Sequence, residues 1–490
     1  MNKRTILSLS ISLTVSQFTF SQTPRVLAGP MLGYAEHREC LVWVMTKCAK
    51  RIKLNYTCES DTLLKGEVSY YSKANDICEH NISKIVITNL EPGKTYSYKL
   101  TLDDAPYKTD IPLKFKTKEL WEFRKDAPSF SFVTGSCAYI NDSIYDRPGE
   151  PYGQSTQIFK SMAETPGQFM LWLGDNTYLR EVDMSSESGI KYRYFHTRKQ
   201  KDLQKLLATK NNYAIWDDHD FGPNNSCKTY ELKNTTQQTF KEYWGNKTYG
   251  QDGEGIYSKM QWSDCDFYLL DNRYFRDADE MPDSLLPHKT QLGRKQMDWL
   301  KQSLSASRAS FKFVVMGGQF LNINTDQESY VQYIKERKEL LDFITNMDIK
   351  GVVFMSGDRH HTEILKLEMG DSSQKTTEPK STKEKKKKEK KNKPEEKNTT
   401  ANTDEDEPEQ PHGKIYYELT CSPMTSKGSS VLKTKEAINP LRIQQTLITE
   451  PNYCQLTVSG AKNNRNLLIK CYNTKGELKW EFTISQQELQ

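Results

Sequence analysis

The chain has 490 residues, 36% of them hydrophobic and 11% aromatic, enough apolar material for two packed domains and unlike a disordered chain. Its formal net charge of +5 at pH 7 is too small to argue for a nucleic-acid or membrane-surface partner. Past the N-terminus no apolar run reaches about eighteen residues, so no transmembrane helix is expected.

Residues 1–22 have the three parts of an export signal: basic Lys3 and Arg4, a mostly apolar stretch over 6–20, and Ser21-Gln22 near a plausible cleavage point. The segment has no twin-arginine pair, so the general secretion route to the periplasm or the exterior is expected. Ten cysteines agree with an oxidising destination. Cys40, Cys48, Cys58 and Cys78 cluster early, and all three pairings among them stay open.

Residues 23–120 read as a small all-β domain. Short strand-like runs occur at 41–45, 51–56 and 84–87, and Pro92-Gly93 makes a turn before an alternating run at 96–100. The stretch Asn89-Leu-Glu-Pro-Gly-Lys-Thr-Tyr-Ser-Tyr98 resembles the corner of a fibronectin type III-like sandwich, in which the tyrosine braces the sheet.

Residues 121–490 read as a second, α/β domain. Six apolar runs each end in polar, reactive residues. The run at 130–133 leads into Cys137, and that at 169–173 into Asp175 and Tyr178. The run at 213–216 leads into Asp217-Asp-His-Asp220, and that at 267–270 into Asp271-Asn-Arg273. The last two, at 311–316 and 351–355, lead into Gly317-Gly-Gln319 and Gly357-Asp-Arg-His-His361. Continuous apolar runs suggest strands buried on both faces, with helices at 199–208 and 294–304 between them. Ligands of open α/β sheets gather beyond the carboxyl ends of the strands, so the six tips are expected to converge.

A charged insertion spans 371–412, with a lysine-rich run at 383–393 and acidic residues at 404–409. It holds too little apolar surface to order itself and interrupts a hairpin at 364–368 and 414–419. Closing strands are expected at 455–458, 466–471 and 478–484.

The tips offer carboxylates, imidazole, phenol and thiol. Carboxylate oxygens suit a hard cation; thiolate with phenolate favours a transition metal such as iron. Asp217, Asp218 and Asp220 around His219 would repel one another strongly without a cation. Cys137 has a competing assignment as a buried thiol or disulfide partner, and Arg273 as a structural ion pair. His361 reads as a neighbour of the site, and His37, His80, His196, His288 and His412 as non-catalytic.

The ordered set resembles the PhoD-like (alkaline phosphatase D) metallophosphatase family. It comprises Thr134-Gly-Ser-Cys137, Gly174-Asp-Asn-Thr-Tyr178, Trp216-Asp-Asp-His-Asp-Phe-Gly-Pro-Asn-Asn225, Leu270-Asp-Asn-Arg-Tyr-Phe-Arg276 and Ser356-Gly-Asp-Arg-His360. Leu292-Gly-Arg-Lys-Gln-Met-Asp-Trp-Leu300 and Tyr417-Glu-Leu-Thr-Cys-Ser-Pro423 are also similar to that family. The resemblance implies a calcineurin-like metallophosphoesterase sandwich behind the N-terminal β domain. It implies Fe³⁺ held by Cys137, Asp175, Tyr178 and His360, and Ca²⁺ near Asp175, Asp218 and Asp358, with Asp175 bridging and Asn224 and Asn225 assisting. It further implies His219 as an acid or orienting group and Arg273 as a phosphate clamp. The expected activity is hydrolysis of phosphate mono- or diesters by a metal-bound hydroxide. The competing reading is an exported binding or adhesion protein on a catalytically decayed scaffold.

Overall fold

A computed structural model describes residues 23–72, 80–324, 328–369 and 414–490. The expected signal segment, Cys78 and the charged insertion lie outside the described residues.

The N-terminal part forms strands β1 (Arg25–Ala35), β2 (Cys40–Lys47), β3 (Arg51–Cys58), β4 (Lys65–Tyr71), β5 (Asn81–Ile87), β6 (Thr95–Leu102), β7 (Ala105–Pro106) and β8 (Lys114–Lys116). Alternation in β3 and β6 turns Ile52, Leu54, Tyr98 and Leu100 into a core shared with Val42, Val44 and Ile85. One sheet runs β4-β3-β6, with β7 and β8 both pairing β6; the facing layer is β1-β2-β5. The Glu91 N–H donates to the Tyr96 hydroxyl at 2.9 Å, tying the turn before β6 to that strand. Cys40 and Cys58 are buried thiols not bridged to each other.

The second part adds β9 (Phe130–Gly135), β10 (Phe169–Leu173), β11 (Asn211–Ile215), β12 (Ser258–Trp262), β13 (Cys265–Leu269), β14 (Phe311–Val315) and β15 (Val352–Ser356). It closes with β16 (Glu363–Glu368), β17 (Ile415–Thr420), β18 (Asn452–Ser459), β19 (Asn466–Asn473) and β20 (Leu478–Ser485). The expected tips do not share one open sheet. They divide between a nine-stranded sheet, β20-β19-β18-β9-β10-β11-β1-β2-β5, and a six-stranded sheet, β12-β13-β14-β15-β17-β16. The first two N-terminal strands and β5 extend the larger sheet, because β1 pairs in parallel with β11.

The two sheets pack face to face through phenylalanines. The Phe132 and Phe169 rings stack at 4.8 Å on one sheet, Phe267 and Phe313 at 4.6 Å on the other, and Phe132 meets Phe267 edge-on at 5.4 Å. Each such pair contributes about 0.5–1.5 kcal/mol beyond simple burial. Helices cover both outer faces. α1 (Ile158–Glu164), α2 (Glu187–Arg198), α3 (Lys201–Thr209) and α5 (Lys233–Tyr243) lie on the larger sheet, with the short turn α4 (Asp218–Phe221) at its rim. α6 (Arg294–Ser305) and α7 (Ile334–Asn346) lie on the smaller. The result is a four-layer α/β sandwich in which the core strands read as continuous apolar runs.

The β16–β17 hairpin is paired to its open end. Glu368 sits opposite Ile415, and the Met369 N–H donates to the Lys414 carbonyl at 2.8 Å. The two ends that flank the insertion are therefore adjacent, and between adjacent ends a change in loop length costs little. Removing residues 372–411 and closing the gap with a short glycine turn is expected to leave the melting temperature nearly unchanged, together with the ester turnover that the resemblance implies. Steady-state kinetics of the shortened chain check this; a large fall in turnover would mean that the insertion shapes the site.

Candidate active site

Within each sheet the tip-bearing strands run parallel, so their carboxyl ends face the same way. Cys137 follows β9, Asp175 and Tyr178 follow β10, and Asp217 to His219 follow β11. From the other sheet, Arg273 follows β13, Gly317 follows β14, and Asp358 and His360 follow β15. Four of these residues turn through the left-handed region: Cys137 (φ 59°), Asp175 (φ 52°), Asp358 (φ 62°) and His360 (φ 54°). Each such residue costs on the order of 1–3 kcal/mol, and such strain collects where a side chain must be aimed. Two glycines allow the sheets' tips to close up. A Cβ on Gly317 would lie 2.4 Å from the Asp217 carboxyl carbon, and one on Gly357 would lie 2.6 Å from Ser136 Oγ.

Cys137 Sγ lies 3.6 Å from Asp175 Oδ2, and the Tyr178 hydroxyl donates to the same oxygen at 3.0 Å. His360 Nε2 is 3.2 Å from that hydroxyl. His360 Nδ1 lies 3.0 Å from the Lys427 carbonyl and 2.8 Å from the Tyr152 hydroxyl. A carbonyl only accepts, so Nδ1 carries the proton and Nε2 presents its lone pair to the cluster. Ser422 Oγ donates to Cys137 Sγ at 3.0 Å.

At the strand tips, three groups of donor atoms among the described residues each fall within 4.8 Å of one another: Cys137, Asp175 and His360; Asp175, Asp218 and His219; and Asp217, Asp218 and Asp358. Asp175 links the first two groups and Asp218 the last two, so the donors form one continuous chain. Burial, reinforced by the Asp218 and Cys137 charges, raises the Asp175 carboxyl well above its usual range. Burial with Glu328 and Asp217 pushes Asp358 up to about 8, and burial pushes the Cys137 thiol up to about 12. Burial lowers both His219 and His360, against the pull of Asp218 and Asp358 respectively. Asp217 Oδ2 and Asp218 Oδ1 are buried without a hydrogen-bond partner. Unpaired buried carboxylate oxygens are costly. The arrangement therefore fits cations, with a thiol, a phenol and an imidazole at one end and only carboxylates at the other.

The other expected site residues stand around this chain. His219 stacks on Tyr178 with ring centroids 4.2 Å apart, and its backbone N–H donates to Asp175 Oδ1 at 3.3 Å. Asn224 is exposed at the rim, where its amide donates to Asn225 Oδ1 at 2.8 Å; the Asn225 N–H donates to Asp218 Oδ2 at 2.7 Å. Arg273 is wholly buried, with its guanidinium 2.5 Å from Asp217 Oδ1 and 2.5 Å from Glu328 Oε1. Arg276 reaches the same Glu328 oxygen at 2.8 Å. Asp217, Arg276 and Ser422 lie within the sequence motifs, but their partners Arg273, Glu328 and Cys137 are set by the fold. Tyr152 and Glu328 lie in loops with no apolar run to flag them.

Comparison with known proteins identifies a family for the chain. The family model for PhoD-like phosphatase matches residues 132–461, and one for a domain of unknown function (DUF7800) matches residues 23–118. Alkaline phosphatase D of Bacillus subtilis (strain 168) is 22% identical over 320 residues, covering 55% of this chain and 52% of that protein. The chain thus spans about half the length of this curated relative. A solved structure described as "Structure of PhoD" superposes with a TM-score of 0.67 at 16% identity, covering 93% of this chain and 91% of that one. At that identity the likeness speaks for the fold alone. With the family model spanning most of the α/β sandwich and every tip that carries a donor, the chain belongs to the PhoD-like phosphatase family.

Proposed function

We propose that the protein is an exported, metal-dependent phosphoesterase that cleaves phosphate mono- or diesters at the strand tips. The observation that carries this reading is the unbroken chain of donors from Cys137 to Asp358, with Asp175 shared between two groups. In this reading Cys137, Asp175, Tyr178 and His360 hold Fe³⁺. Asp175, Asp218 and Asp358 hold Ca²⁺, with Asn224 assisting from the rim. Bound metals would supply an acidified water and Lewis-acid stabilisation of charge on the phosphoryl oxygens.

The chain's own side chains supply the rest. His219 is partly exposed beside the donors, placed to act on the departing alkoxide as an acid or as an orienting group; general-acid help of this kind is worth roughly 10²–10⁴-fold. Its stack on Tyr178 fixes the ring plane. Arg273 holds Asp217 and faces Asp218 at 3.7 Å, so it acts on the phosphate through the carboxylates it orients. The reading of a decayed binding scaffold finds no support in a donor set this complete. We further read residues 1–22 as a secretion signal leading to the periplasm or exterior. The sheet orders β1-β2-β5 and β4-β3-β6-β8, with the Tyr96 brace, support reading residues 23–120 as a fibronectin type III-like domain. Residues 121–490 are then the metallophosphatase domain.

Aryl phosphate mono- and diester assays on the purified chain test the reading. Turnover of at least one ester is expected, to be lost on exhaustive EGTA treatment and regained on adding Ca²⁺. Full activity with Ca²⁺ shown absent would overturn the calcium assignment. Inactivity on both esters with metals bound would overturn the enzymatic reading.

A further inference from the structure

Beneath the donor chain lies a second charged cluster that the proposed chemistry does not use. Along 358–361 the chain alternates. Asp358 and His360 belong to the donor groups, whereas Arg359 and His361 are buried below them. Arg359 Nη1 donates to the Glu328 backbone carbonyl at 2.9 Å, and its Nη2 pairs with Glu436 Oε2 at 2.8 Å. Glu436, itself 2% exposed, also accepts from Asn322 at 3.0 Å, Asn324 at 2.8 Å and Asn439 at 3.2 Å, and faces Arg442 at 3.6 Å. Arg442 pairs in turn with Glu363, which lies 3.2 Å from His361 Nε2 and accepts from Gln319 at 2.8 Å.

His361, Glu363 and Glu436 have donor atoms close enough to hold a cation. The charges argue otherwise. Two carboxylates face two guanidiniums, and amides of Asn322, Asn324, Asn439 and Gln319 take up further carboxylate lone pairs. No excess negative charge remains to attract a metal. The neighbours above need such an anchor. Asp358 and His360 both sit at positive φ, a conformation that persists only when the surroundings over-determine it.

We propose that Glu436 is a positioning residue of the metal centre: by clamping Arg359 it holds Asp358 and His360 in their left-handed conformations. The same guanidinium reaches the Glu328 carbonyl, and the Glu328 carboxylate pairs with Arg273, which holds Asp217. Arg359 thus ties the tip of one sheet to the carboxylates at the tip of the other. This inference rests on the metal-centre reading above.

The test compares the full chain with its Glu436→Gln variant, by Fe³⁺ and Ca²⁺ content under graded chelator competition, by melting temperature, and by turnover against added metal. Glu436→Gln is expected to fold and to bind the same number of ions, with affinity about 10–100-fold lower, as for loss of a group that orients ligands. Excess metal is expected to restore its turnover with KM unchanged, a rescue that a merely structural defect would not show. Unchanged affinity would overturn the proposal. So would one ion fewer with the rest bound as tightly as before, which would make the cluster a metal site in its own right. If Glu436→Gln does not fold, Arg359→Lys is expected to show the same weakening, and unchanged affinity there overturns the proposal too. A wild-type chain that binds no metal would instead overturn the metal-centre reading, and that outcome is read without any variant.

Discussion

Asp175→Asn is expected to lower turnover about a thousandfold while leaving the metal-free fold at least as stable as the wild type. Asp175 is the donor common to the Cys137–His360 group and the Asp218–His219 group. Losing it removes the shared ligand, and metal stabilisation of the transition state is worth several kcal/mol; about 4 kcal/mol corresponds to about 10³-fold. Stability should move the other way. Without metal the carboxylate is buried beside Asp218 and Cys137, and that burial and repulsion are what raise its pKa. A neutral amide of the same shape escapes both. The Tyr178 hydroxyl at 3.0 Å can still donate to the amide oxygen, and the acceptor lost is the one in the long, 3.3 Å contact with the His219 N–H, a smaller cost than the burial and repulsion removed. Steady-state kinetics at saturating metal, together with melting curves in EDTA, check both halves. Turnover within tenfold of wild type would remove Asp175 from the centre of the account.

Arg273→Met is expected to destabilise the protein by about 3–5 kcal/mol, the usual consequence of removing one partner from a buried ion pair. The guanidinium is wholly buried, and its loss strands Asp217 and Glu328, which it meets at 2.5 Å each. Asn272 still donates to Asp217 at 2.8 Å and Arg276 still reaches Glu328 at 2.8 Å, so the fold should weaken rather than collapse. Urea unfolding in the presence of chelator measures the change without metal linkage. A residue whose main partner were the substrate phosphate would behave differently, with KM raised and the unfolding midpoint unmoved. That outcome would return Arg273 to the role of a clamp.

The core strands were legible because strands buried on both faces are written as continuous apolar runs. β10, for example, is Phe169-Met-Leu-Trp-Leu173, buried throughout. The donors were legible because they follow those runs directly. Which tip belongs to which of the two facing sheets was not. Which sheet a strand joins is set by long-range pairing, and nothing in the runs ending at Trp216 and Leu270 distinguishes one sheet from the other. β1 escaped notice because Gly29-Pro30 and Gly33 interrupt its pattern; Gly33 is needed where the strand passes Gly245, whose Cα would lie 3.0 Å from an added Cβ. α2 escaped because its buried face carries Arg193, His196, Thr197 and Arg198, which hide the helical period. Arg359 meets Glu436 across 77 positions of sequence, through a partner in a short turn with no periodicity of its own. A sequence marks such groups as charged and leaves their pairing to the fold.

Anomalous diffraction at the iron edge, from crystals of the purified chain, tests the central claim most directly. The account predicts a peak within bonding distance of Cys137 Sγ, Tyr178 Oη, His360 Nε2 and an Asp175 oxygen, with a second, lighter ion beside Asp218 and Asp358. Iron bound away from these four atoms, or Cys137 found in a disulfide with the strand tips free of metal, would contradict it.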